Sequence, residues 1–254
     1  NHPVFLTRAD GHGAVVNSLA LKIAGITRST PNPFGGEIIR DRKTGEATGM
    51  LLDAAQRYVT KHLPGSGEAD RERALLLGQE FALRHGWCQV QIAGADCRDI
   101  GRLRKLYSSG RMKLRTYVAV YGPGAPADRL IENGPILGEF DHRLTVRGIK
   151  VMSDGALGSK GAAMLEPYYD HDSSGFMRVK EATLMPMLLS ALRNGIQVET
   201  HAIGDRANRL ILNYYERTFE RVPAADRRVV DPRWRIEHAQ HVHAEDIPRF
   251  AELG

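Results

Sequence analysis

The chain has only two cysteines, Cys88 and Cys97, and they do not form a CxxC pair. That excludes a disulfide framework and removes support for a zinc ribbon, so a cytoplasmic setting is the default expectation. No apolar run approaches the roughly 20 residues that cross a bilayer, and the opening Asn1-His2-Pro3-Val4 has no basic-then-apolar leader layout. No membrane span is expected. Charge of one sign is also missing, because 35 basic and 30 acidic residues are interspersed and the net charge of +5 is not gathered in a Lys/Arg block. Nucleic-acid binding gains nothing from this pattern. Neither GxSxG nor HExxH occurs, so serine-hydrolase and zincin chemistry lack their residues. What is present is an ordinary globular composition: 254 residues, 42% hydrophobic and 26% charged, which excludes disorder and collagen-like repeats.

The first 67 residues differ from the rest. Val15, Val16, Leu19, Ala20 and Ile23 have near-helical spacing, predicting a short amphipathic helix within Gly13 to Ala24, stopped by Gly25. Residues 36–40 and 47–51 flank the turn-rich Asp41-Arg42-Lys43-Thr44-Gly45-Glu46, predicting a β-hairpin. Pro64-Gly65-Ser66-Gly67 reads as a linker, so the expected division is 1–67 and 68–254. Beyond it, a helix over 68–85 is followed by apolar runs at 88–93, 114–120, 149–152, 196–199 and 234–236. Each reads as a buried strand. Helical stretches lie at 98–107, 181–193 and 205–219, with a last helix from about Ala244. Strands alternating with helices imply parallel pairing, in an open doubly wound sheet or a (β/α)₈ barrel.

Chemically capable side chains follow successive strands: Lys150 and Asp154, then His201, then His238 and His241. Such placement favours a barrel, whose sites gather on the C-terminal rim. Yet five strands are counted rather than eight, and the stretch after residue 67 is shorter than the roughly 250 residues of a full barrel. Lys150 lies within an apolar strand, where a charged amine is costly. It is either salt-bridged to Asp154 or another carboxylate, or desolvated so that its neutral amine captures carbon dioxide as a metal-binding carbamate. His201 and His238, at equivalent positions of consecutive repeats, suit coordination of a transition metal, although a lone histidine more commonly hydrogen-bonds within the fold. Asp205, after Gly204, reads as the cap of the following helix. Asp10 and His12, in Ala9-Asp10-Gly11-His12-Gly13, read either as a substrate loop or as a helix-capping turn. Residues 155–161 look like a phosphate loop but lack its GxxxxGK[ST] spacing.

These segments together resemble the amidohydrolase superfamily, specifically family 3, the YtcJ-like metal-dependent hydrolases. The resemblance is carried by residues 148–159 (GIKVMSDGALGS), 199–205 (ETHAIGD) and 235–240 (RIEHAQ), with Asp10-Gly11-His12, residues 17–21 and residues 35–41 as early segments. It implies an α/β fold, a partial (β/α)₈ barrel comprising about strands 2–6, with residues 1–67 as an insertion covering the rim. It further implies that Lys150 as a carbamate, His201 and His238 are metal ligands and catalytic residues. Asp10, His12, Asp154 and His241 are then expected near the substrate. One or two divalent ions, zinc above others, are the implied cofactor.

The family pattern also has an HxH pair ending the first strand and an aspartate ending the eighth, and neither is found here. The chain begins with Asn and stops in an apparent helix, so both ends are expected to be cut and this stretch alone to be inactive. Gln89-Val90-Gln91-Ile92-Ala93-Gly94 stands where the family often has His-Asp before Ala-Gly, and Val16 where an aromatic is common. The implied reaction is hydrolysis of an amide-like, non-peptide carbon–nitrogen bond in a small-molecule substrate by a metal-activated water. A Schiff-base lysine lyase or aldolase, and a non-catalytic binding protein on a degenerate barrel, are the alternatives. Homo-oligomerisation stays open.

Overall fold

In the computed structural model, which describes residues 2–65 and 67–254, β-branched and apolar residues near the start of the chain pair into an antiparallel sheet. It is built from β1 (Phe5–Thr7), β2 (Gly13–Val16), β3 (Gly36–Arg40) and β4 (Ala47–Asp53), in the order β1-β2-β4-β3. The hairpin between β3 and β4 forms as the turn residues require, with Asp41 Oδ1 accepting from the backbone N–H of Lys43 and Thr44. The helix expected from residue 13 is shorter: α1 covers Ser18–Ile23, and Gly13–Val16 is strand instead. Val15 and Val16 favour an extended backbone, and Asn17 then starts the helix by accepting the Ala20 N–H at 3.1 Å. Ile38 and Leu51 are fully buried beneath this sheet with Val16, Ala20 and Val59. A short α2 (Arg57–Thr60) closes the unit. Of the linker-like stretch, Ser66 lies outside the described residues.

The rest alternates strand and helix: α3 (Glu68–Arg84), β5 (Gln89–Ala95), α4 (Cys97–Ser108), β6 (Arg115–Gly122), α5 (Ala125–Asn133), β7 (Ile136–Gly138), α6 (Glu139–His142), β8 (Leu144–Met152), α7 (Glu181–Arg193), β9 (Gln197–Ala202), α8 (Asp205–Arg221), β10 (Arg235–His238) and α9 (Ile247–Leu253). All five expected strands pair in parallel, in the order β10-β9-β8-β6-β5, and β7 adds one antiparallel bridge to β8. The run at 88–93 is not a buried strand. β5 is a sheet edge along which most side chains are exposed or half-buried. Near Ala244 the chain makes a single 3₁₀ turn before α9, and Gly204 rather than Asp205 caps α8. The Asp205 carboxylate instead accepts the Leu165 N–H at 2.8 Å.

Side chains on one face of this sheet show that it curls. Neighbouring strands are spaced about 4.8 Å apart, so β5 and β10 would lie roughly 19 Å apart if the sheet were flat. Yet Arg235 on β10 donates to Gln91 Oε1 on β5 at 2.7 Å, and Tyr117 on β6 donates to Gln197 Oε1 on β9 at 2.6 Å. The strands therefore form part of a barrel wall, with an unusually polar interior. Helices α7 and α8 cover the outside through buried stripes that include Leu184, Leu188 and Leu192, and Ala207, Ile211 and Tyr215. No described helix is long and apolar enough to cross a membrane.

Candidate functional site

Period-two alternation along the strands decides which side chains enter the barrel. On β8 the inward positions are Gly148, Lys150 and Met152, and on β9 they are Gln197, Glu199 and His201. Register places Lys150 beside Glu199 and Met152 beside His201. His201 lies beside Glu237, and Ala202 beside His238, at the end of β10. The result is a cavity of about 620 Å³ lined by Lys150, His201 and His238 from the barrel and by Asp10, His12 and Asp53 from the N-terminal sheet.

Lys150 is 6% exposed, and burial is the leading cause that lowers its amine pKa. The carboxylates of Glu237 and Glu199 act in the opposite direction without overcoming it. Among the described residues its amine makes no ion pair or hydrogen bond, so the expected alternative of a salt bridge to Asp154 is not what the structure contains. Asp154 is fully buried and turned elsewhere. Its oxygens accept the backbone N–H groups of Ala163 (2.9 Å), Ile203 (3.1 Å) and Gly204 (2.9 Å). Asp154 Oδ1 also lies 3.2 Å from His201 Nε2. Asp154 therefore stands behind His201, outside the cavity lining where the sequence reading expected it.

His201 is 1% exposed, and its Nε2 lies 3.2 Å from the Gly155 carbonyl as well. With Nε2 occupied in this way, Nδ1 is the nitrogen left to bear a lone pair in the neutral ring. The His201 ring centroid lies 4.7 Å from that of His238 and 5.2 Å from that of His12. Burial lowers the pKa of His238, and the neighbouring His201 and Lys150 lower it further. Its backbone has φ +75°, a left-handed conformation that a residue with a side chain adopts at a cost. His241 is also displaced from the expected role: its backbone N–H donates to Ile203 O at 2.9 Å, and its side chain is not part of the lining.

The Asp10–His12 segment is a hairpin turn between β1 and β2 rather than a helix cap, with Arg8 N–H donating to Gly13 O at 2.8 Å. It brings His12 Nδ1 to 2.8 Å from Asp53 Oδ1, which also lies 3.0 Å from Arg178 Nη1. Asp53 is a residue that sequence reasoning missed. It ends β4 with φ +45°, its side chain is 1% exposed, and its Oδ2 has no hydrogen-bond partner among the described residues. The glycine-rich 155–161 loop explains how Asp53 fits. A Cβ on Gly155 would lie 2.5 Å from Asp53 Oδ2, and one on Gly161 would lie 2.9 Å away. The loop makes room for this carboxylate and is followed by no helix that could form a phosphate site. The signal available in the sequence was the pair of glycines, whose partner lies a hundred residues away.

Below the cavity, four side chains join across the barrel. Gln91 donates to Glu199 Oε2 at 2.6 Å, and Arg235 pairs with Glu237 at 2.5 Å. Arg235 Nη2 is 3.2 Å from Glu199 Oε1, near enough for an ion pair but poorly aligned, which leaves that oxygen without a hydrogen-bond donor. Burial pushes the Glu199 carboxyl pKa up despite the nearby Arg235 and Lys150 cations. Among the described residues, no group of three His, Cys, Asp or Glu side chains is arranged to hold a metal ion. The polar groups that share the cavity are the imidazoles of His12, His201 and His238, the Lys150 amine and the carboxyl groups of Asp10 and Asp53.

Known proteins resemble this chain along its whole length. The chain is 35% identical over 269 residues to "Protein LONG AFTER FAR-RED 3" of Arabidopsis thaliana, an alignment covering 99% of this chain and 44% of that protein. It is 31% identical to "Putative amidohydrolase YtcJ" of Bacillus subtilis (strain 168), covering 100% and 46%. It is 28% identical to "N-substituted formamide deformylase" of Arthrobacter pascens, covering 100% and 47%. The chain thus spans somewhat under half the length of these curated relatives. A solved structure of an uncharacterized metal-dependent hydrolase from Pyrococcus horikoshii OT3 matches 99% of the chain and 47% of that chain, with TM-score 0.69 and 25% identity. The amidohydrolase family profile matches residues 1–254. The chain belongs to the amidohydrolase family, in its family 3.

Proposed function

We propose that the protein carrying this chain is a metal-dependent hydrolase of amide-like, non-peptide carbon–nitrogen bonds. The observation that carries the reading is the convergence of Lys150, His201 and His238 on one cavity, with the Lys150 amine buried and without an acceptor. These residues fit a divalent cation, zinc in the first instance. His201, held at Nε2 by Asp154 and the Gly155 carbonyl, has the outer hydrogen bond that orients a ligating imidazole. A bound cation would supply a water activated near neutral pH and polarise the scissile carbonyl.

The neutral amine of Lys150 would add to carbon dioxide, forming an N–C bond and releasing one proton, and the resulting carbamate together with His201 and His238 would hold the cation. Burial favours this step because it favours the uncharged amine. His12, braced by Asp53, and Asp10 face a small-molecule substrate. Residues 1–67 act as the insertion over the rim, and 68–254 as the barrel portion. The similarity to a formamide deformylase supports a carbon–nitrogen substrate.

Metal analysis of the purified whole protein, with assays on N-formyl and N-acetyl amines, tests the reading. Stoichiometric zinc, amide hydrolysis, and loss of both in Lys150→Met are expected. A folded protein that takes up no metal in excess zinc overturns it. Borohydride trapping of a carbonyl compound on Lys150 would favour the Schiff-base alternative instead.

A further inference from the structure

The cavity continues past Lys150 and Met152 into a second lobe of about 370 Å³. Tyr121 and Arg178 border both lobes, and Phe34 and Arg57 line the outer one. Among the described residues, no Asp or Glu lines that lobe. Arg178 is matched by Asp53, but Arg57 makes no side-chain hydrogen bond or ion pair among the described residues. An exposed, unpaired arginine is ordinary on an open surface. Here it shares a concavity with two aromatic rings that are themselves 57% (Phe34) and 52% (Tyr121) exposed.

Backbone packing holds the Tyr121 ring, and the Lys180 ammonium lies 5.1 Å from the centroid of the Phe34 ring. The Tyr121 ring lies directly over Gly94, where φ is +130° and any Cβ would overlap the ring. Phe34 precedes Gly35, whose carbonyl accepts the Ala54 N–H at 3.1 Å and whose backbone packs against Arg178. Flat apolar faces beside a guanidinium fork match a ligand with an apolar body and a carboxylate, which arginine binds through two parallel hydrogen bonds.

We propose that this lobe receives the substrate's substituent remote from the scissile bond, and that this substituent is an aromatic or aliphatic group bearing a carboxylate, with Arg57 as its counter-ion. The assignment rests on the hydrolase reading for the word substrate, but the binding site is testable without it. Calorimetric titration of the metal-depleted whole protein with phenylacetate and its neutral twin phenylacetamide removes any carboxylate–metal contact. Phenylacetate is expected to bind at least tenfold more tightly. Arg57→Gln should abolish that preference, Arg57→Lys should retain part of it, and Phe34→Ala should weaken both probes.

Equal affinity for the two probes, or a preference unchanged in Arg57→Gln, overturns the proposal. On the metal-loaded protein, Arg57→Gln should raise KM about tenfold for N-acetylphenylalanine and leave it unchanged for N-acetylphenylalaninamide. If neither amide is hydrolysed while phenylacetate is still preferred through Arg57, the lobe's assignment stands and only the hydrolase reading falls.

Discussion

Asp154 shows how one side chain can serve a site it does not line. Its two oxygens accept three backbone N–H groups, and Oδ1 stands 3.2 Å from His201 Nε2, all among buried residues. Replacing it with Ala would strand those donors, each costing about 1–3 kcal/mol when buried without a partner. Asp154→Ala is therefore expected to lower stability by several kcal/mol, measured by urea unfolding, and Asp154→Asn by less. A loss under 1 kcal/mol for the alanine variant would contradict the geometry. Gly155 next door gives a second prediction. Gly155→Ala drives a methyl into Asp53 Oδ2 and the Gly161 backbone, so a loss of about 1–3 kcal/mol is expected, together with displacement of His12.

At the scale of elements, the helices were the most readable feature. Residues 68–85 are rich in helix formers apart from Gly78, residues 181–193 read as helical in spite of Pro186, and the structure has α3 and α7 there. The Asp96 and Asp99 pair that starts α4 closes a capping box of two 2.9 Å hydrogen bonds, a purely local device. Strand β5 was read as buried because its apolar residues say nothing about which neighbours the sheet supplies. The misread start at residue 13 has the same origin, since Gly13–Val16 is extended by pairing with β1 and β4.

The docking of α9 on α8 offers an acid-sensitive test. Burial alone would raise the Asp246 carboxyl pKa, but hydrogen bonds from Arg209 and Arg249 outweigh it and hold it below the ordinary value. A depressed folded pKa gives stability that is present above about pH 3.9 and disappears as pH falls through the folded value. Hydrogen exchange in α9 should accelerate below pH 4, and Asp246→Asn should show that acceleration already at pH 7. Unchanged protection in the variant would contradict this role.

At the scale of the whole molecule, the curled sheet gathers polar side chains inside its wall, and their titration should govern alkaline stability. Burial and the Glu199 carboxylate push the Tyr117 phenol up to about 12. The unfolded phenol titrates near 10, so the folded state holds this proton more tightly. The contribution is complete below about pH 10 and is lost as pH rises toward 12. Phenolate absorbance near 295 nm and circular dichroism followed from pH 9 to 12.5 should move together. Tyr117→Phe should remove one phenol from the late-titrating set. A Tyr117 midpoint near 10 in the folded protein would contradict the burial argument.

Residue types and spacing alone indicated the alternation of strand and helix and the five parallel strands, and they singled out Lys150, His201 and His238 as candidates that the fold brings to one cavity, because periodicity and strand-end position are local properties of a chain. Only the fold revealed that Asp53 underlies His12, that Asp154 backs His201 instead of lining the cavity, and that Arg57, Phe34 and Tyr121 share a lobe. Those relations depend on strand register and on the curling that brings Gln91 to Arg235. Partners separated by a hundred residues meet through pairings that no single segment encodes, which is why chemistry could be read along the chain while its surroundings could not.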